Sequence, residues 1–130
     1  MYEFEEYQRG TRPTTDPVVT IMKRGIAMLN KGAYLALGQP EAVKLLFDRK
    51  RRVIGLRPVQ IDDRNAYPVR KKGRSATYEV GMSAFLATHG IKANVSRRWR
   101  AQMVEGVLAV DTRAPATEII RARKEKASAG

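Results

Sequence analysis

The chain has 130 residues, 43% of them hydrophobic, and carries 25 Lys+Arg against 13 Asp+Glu for a formal net charge of +12. That length normally makes one domain, and that apolar fraction can fill a core. The absence of cysteine rules out disulfides, thiolate chemistry and Cys-based zinc sites.

The N-terminal stretch Met1-Tyr2-Glu3-Phe4-Glu5-Glu6 is acidic and has neither the basic nor the apolar region of a signal peptide. Residues 1–16 sum to −2, with Gly10 and Pro13 as breakers, and read as a flexible acidic arm. Residues 17–112 read as a single domain that holds most of the positive excess, and 113–130 as a basic, mobile tail. No apolar run approaches the ~20 residues of a membrane-spanning helix. The expected compartment is the cytoplasm, with no membrane partner.

Val18 to Met22 is apolar and β-branched, which predicts a strand. Lys23-Arg24-Gly25 is a turn and Ile26 to Leu29 a second strand. Asn30 is a good N-cap for a short helix over Lys31 to Leu37, which Gly38 closes and Pro40 prevents from resuming. Ala42 to Asp48 alternates, with Val43, Leu45 and Phe47 on one face, and Val53 to Val59 returns after the charged turn Arg49-Lys50-Arg51-Arg52. Gln60 to Asn65 is a polar connection.

The second half runs in the same order. Ala66 to Arg70 is a predicted strand, Lys71-Lys72-Gly73-Arg74 a turn, and Ser75 to Val80 a strand. Met82 to His89 is a short helix closed by Gly90. Ala93 to Met103 is a strand, Val104-Glu105-Gly106 a turn, and Val107 to Asp111 a strand. Ala33-Tyr34-Leu35-Ala36 matches Ala84-Phe85-Leu86-Ala87 at an offset of 51, as Gly55-Leu56 matches Gly106-Val107. The expected fold is α+β: an antiparallel sheet built from two pseudo-repeated ββαββ units, 18–59 and 66–111, with the helices on one face and flexible termini. Beyond it, Thr117 to Lys124 reads as a nascent helix.

The strings Lys23-Arg24-Gly25-Ile26-Ala27-Met28-Leu29-Asn30, Ala42 to Asp48 and Val53-Ile54-Gly55-Leu56-Arg57-Pro58 resemble a pattern in short uncharacterised bacterial and phage proteins. The resemblance covers about a third of the chain. It implies a compact folded unit and brings no known activity.

Catalysis is not expected. The one histidine, His89, stands at a helix end and has no second histidine to work with. Asp62 and Asp63 are adjacent, and on an extended segment would point to opposite sides. There is no glycine-rich phosphate loop, so no cofactor is expected, and with one histidine and no cysteine no tightly bound metal is expected either.

The informative feature is cationic. Three of the four predicted hairpin turns are basic, and the strand before the fourth carries Arg97, Arg98 and Arg100. A high positive charge favours polyanions, and phosphate contacts come from cations at loop tips or on an open sheet face. Alternation places Trp99 on the apolar face and Arg98 and Arg100 on the polar one. The expected function is non-catalytic nucleic-acid binding, DNA ahead of RNA, in the manner of a transcription or chromatin regulator. The candidate phosphate contacts are Arg49, Arg51, Arg52, Lys71, Lys72, Arg74, Arg98 and Arg100. Tyr67 and Tyr78 flank the Lys71–Arg74 turn as candidates for stacking on bases. The rival reading is a protein-interaction module that docks on an acidic surface of a larger complex. An exposed sheet edge offers a route to a homodimer.

Overall fold

The computed structural model describes residues 16–118, so the expected arm lies almost wholly outside the described residues, as does the tail beyond Glu118. The class is α+β, and the strands divide between two antiparallel sheets. The elements in order are β1 (Val18–Ile21), β2 (Ile26–Leu29), α1 (Lys31–Ala36), β3 (Ala42–Asp48), β4 (Val53–Val59), β5 (Tyr67–Pro68), β6 (Arg70–Lys71), β7 (Tyr78–Gly81), α2 (Ser83–Thr88), β8 (Arg97–Arg100), β9 (Gln102–Val104), β10 (Val107–Asp111) and β11 (Thr117–Glu118). One sheet has the order β11-β8-β1-β2-β7-β6, the other β5-β3-β4-β10-β9.

The two halves of the sequence interleave rather than fold side by side. β2 pairs with β7 and β4 with β10, so each sheet joins strands from both halves. The two helices fall where the sequence puts them. The place of the long hairpin strand β3 has no single counterpart in the second half, where β8 and β9 belong to different sheets.

Three expectations are corrected. The predicted strand Ala93 to Met103 is broken at Ala101: β8 pairs with β1 and β9 with β10. The Ala101 N–H donates instead to the Pro17 carbonyl, 3.0 Å away, as the chain passes between the sheets. Likewise, Ala66 to Arg70 becomes β5 and β6 in different sheets, with the Val69 N–H donating to Glu41 at the crossing. Finally, Thr117 and Glu118 do not open a helix. They pair with Arg98 and Arg97 of β8, whose free side offers unpaired backbone groups that a strand can satisfy.

Both sheets close on one core. Val19, Ile21, Ala27, Leu29 and Val80 enter from the six-stranded sheet, and Val43, Ile54, Leu56, Leu108 and Val110 from the other. Ala33 and Leu37 of the first helical segment and Leu86 of α2 complete it. Pro58 is tolerated within β4 because the β10 pairing has ended at Leu56, leaving β4 unpaired on that side.

Two local devices fix the β1–β2–helix corner. Gly25 has φ +86°, and a Cβ there would lie 2.7 Å from the Ser83 Cα, so the turn can press against the start of α2 only as glycine. The Gly25 carbonyl accepts from the Met82 N–H at 2.9 Å. Asn30 caps α1: its Oδ1 accepts from the N–H groups of Ala33 (2.8 Å) and Val18 (2.9 Å), and its Nδ2 donates to the Asp16 carbonyl. Because one side chain serves a helix end and a strand start together, Asn30→Ala should cost about 1–2 kcal/mol, at the upper end for an N-cap. Urea unfolding followed by circular dichroism measures it, and a loss below a few tenths of a kcal/mol would show the cap to be idle.

Candidate nucleic-acid interface

Alternation in the six-stranded sheet sends Val19, Ile21, Leu29, Val80 and Trp99 into the core. The opposite face is therefore set by their neighbours. Register aligns one outward row as Arg98 (β8), Thr20 (β1), Met28 (β2), Glu79 (β7) and Arg70 (β6). A second row starts with Arg100 opposite Val18 and continues through Asn30, whose N–H donates to the Val18 carbonyl. It ends at the β6–β7 turn, where the Lys72 N–H donates to the Thr77 carbonyl.

Both rows thus have a basic residue at each end and uncharged side chains over most of the middle. Four strand spacings separate β8 from β6, about 19 Å along the sheet. A shallow depression of about 280 Å³, bordered by Val18, Thr20, Met28, Asn30, Thr77 and Arg98, occupies the centre. One carboxylate interrupts the pattern: Glu79 lies 3.9 Å from the Lys72 ammonium. That separation, with Lys72 exposed and Glu79 only half-buried, makes it a weak pair.

The eight candidate cations fall into separate places. Arg98, Arg100 and Lys72 share the face just described, and Arg70, which the sequence reading passed over, joins them. Lys71 and Arg74 are exposed on the same β6–β7 hairpin. Arg49, Arg51 and Arg52 lie on the β3–β4 turn of the other sheet.

That turn is held by its own contacts. The Arg51 N–H donates to Asp48 Oδ1 at 3.0 Å, and its guanidinium meets Oδ2 at 3.1 Å. The Arg51 backbone N–H foremost, and its guanidinium as well, hold the Asp48 carboxyl below the usual carboxylate range. A depressed folded-state pKa means that the turn gains from Asp48 above the unfolded pKa and loses that gain as pH falls through the folded one. In an NMR titration the Asp48 carboxyl should titrate below the ordinary aspartate range, with the Arg51 amide shifting alongside it. An Asp48 midpoint within or above that range would contradict the bond. Arg52 has φ +59°, and its guanidinium sits 5.2 Å above the Phe47 ring.

Among the described residues, the aromatic side chains Trp99, Tyr78 and Tyr67 are turned away from the outer face. Trp99 is 6% exposed, and its Nε1–H donates to the Ala114 carbonyl at 3.2 Å. Tyr78, a sequence candidate for base stacking, is instead buried and stacked on Tyr34 with ring centroids 3.6 Å apart. Tyr67 is partly buried on β5 against the core. His89 packs between Phe47 and Phe85, with centroids at 4.4 and 4.7 Å. The segment with Asp62 and Asp63 is a turn rather than extended, closed by the Asp63 carboxylate accepting from the Asn65 N–H. Among the described residues, no three His, Asp or Glu side chains form a group that could hold a metal ion, and no helix is long and apolar enough to cross a membrane.

Comparison of the chain with protein-family profiles, with curated proteins and with solved structures finds no match in any of the three.

Proposed function

We propose that this protein binds nucleic acid, DNA in preference to RNA, through the phosphate backbone and without catalysis. The observation that carries the reading is the pair of outward rows on the six-stranded sheet, Arg98 to Arg70 and Arg100 to Lys72, each ending in a cation at both margins. Cations about 19 Å apart can reach phosphates of both strands across a major groove ~12 Å wide. With Trp99 and Tyr78 in the core, the face offers Val18, Thr20 and Met28 where a single-strand binder would offer stacking rings. Contacts of this kind position a protein on the backbone and carry little sequence information.

The test is fluorescence anisotropy with random-sequence duplex DNA, single-stranded DNA and RNA at low salt. Duplex DNA should bind most tightly. No binding to any of the three would overturn the reading. A protein-interaction role, including self-association, would then lead. It is favoured by the β9 edge, where Met103 and Val104 are exposed on the last strand of the five-stranded sheet.

A further inference from the structure

On the core side of β8, away from the proposed backbone-binding face, a separate cleft of about 310 Å³ opens between the β3–β4 turn, the α2–β8 loop and the segment after β10. Arg52, Lys92, Arg97, Trp99 and Thr112 border it, and no carboxylate among the described residues does. We infer that this cleft binds a phosphate group.

Arg52 is held in place before any ligand arrives. Its φ of +59° is a left-handed conformation that a non-glycine residue adopts at a cost, and such residues collect at binding sites. Its carbonyl accepts from both the N–H (3.1 Å) and the hydroxyl (2.6 Å) of Thr112. Its guanidinium lies over Phe47 and reaches the Gly90 carbonyl with one long bond of 3.4 Å. A guanidinium has five N–H donors in a planar fork suited to two phosphate oxygens, so most of its capacity is unspent. Lys92, which borders the same cleft, is exposed and adds a mobile point charge. Arg97 also borders the cleft but is engaged in an interaction of its own, and Arg52 and Lys92 suffice. The Trp99 bond to Ala114 fixes the wall. Like charges gathered in a recess repel, and an oxyanion between them turns that repulsion into two attractions.

Such a phosphate could be free or could be the terminal phosphate of a nucleic acid, and one experiment separates the two. Inorganic phosphate, with chloride as the control anion, is titrated into the full-length protein by calorimetry. Wild type should saturate at one site with Kd at or below about 1 mM, Lys92→Gln should weaken this about tenfold, and Arg98→Gln/Arg100→Gln should leave it unchanged. Lys92 is exposed and its replacement leaves the fold alone. A duplex with a 5′-phosphate is then compared with its unphosphorylated twin. Tighter binding of the phosphorylated form by wild type but not by Lys92→Gln assigns the cleft to nucleic-acid ends, and equal binding of the two assigns it to free phosphate. Absence of saturable phosphate binding, or an unchanged Kd in Lys92→Gln, would overturn the site. Duplex binding lost only in the Arg98/Arg100 variant would still support the sheet face.

Discussion

Trp99→Ala should destabilise the protein by about 3–5 kcal/mol, the largest loss expected from any single substitution considered. Three contributions add. The indole is 6% exposed, so its removal leaves a large cavity between β8 and the common core. The Nε1–H bond to the Ala114 carbonyl is lost, and with it one tie holding the segment that leads from β10 to β11. The partner of Trp99 in the sheet is Val19, so the inward side of the β1–β8 pair loses its filling. Small domains have only about 5–15 kcal/mol in hand, so the variant would lie close to its unfolding limit. Trp99 is the only tryptophan, and urea unfolding must therefore be followed by circular dichroism rather than fluorescence. A loss under about 1 kcal/mol would show that the indole is not the core residue its burial indicates.

The second large effect concerns binding. Arg98→Gln/Arg100→Gln should weaken duplex binding at low salt by about tenfold for each charge removed, on the order of a hundredfold together, because each is a hydrogen bond to a charged group. Both side chains are exposed on β8 and stand on the face opposite Trp99, so stability should stay within about 0.5 kcal/mol of wild type. The loss should be the same for unrelated duplex sequences. Anisotropy with two such duplexes measures both points. Affinity retained within a factor of two would remove these residues from the site, and a loss confined to one sequence would indicate base reading instead.

Much of the fold is legible in the sequence wherever a residue's local chemistry and its tertiary role agree. Asn30 reads as a cap and is one, and Gly90 closes α2 as expected. The β3–β4 hairpin follows from its alternation and its charged turn. Alternation also orients β8 rightly, with Trp99 in and Arg98 and Arg100 out. What the sequence does not reveal is the division into two sheets. The crossings fall at Val69 and Ala101, ordinary apolar residues with no glycine at either to mark a break. Met103, four residues after Trp99 and therefore on its face in an unbroken strand, is instead exposed on β9. The same blindness hides Arg70. Read as the end of one strand, it is unremarkable, and only the β6–β7 register brings it into line with Arg98 across three other residues. Tyr78 misleads in the opposite way: its place beside a basic turn suggests a base, while its ring is already taken by Tyr34.

The most direct test of backbone binding by the outer sheet face is the salt dependence of the wild-type protein on random duplex DNA. Neutralised phosphates release counterions, so log K falls with log salt by about 0.9 per contact. Four contacts, from Arg70, Lys72, Arg98 and Arg100, give a slope of roughly −3.5, and the Arg98→Gln/Arg100→Gln variant should flatten it by about 2. A wild-type slope near zero, or a variant slope equal to that of wild type, would contradict phosphate binding by this face.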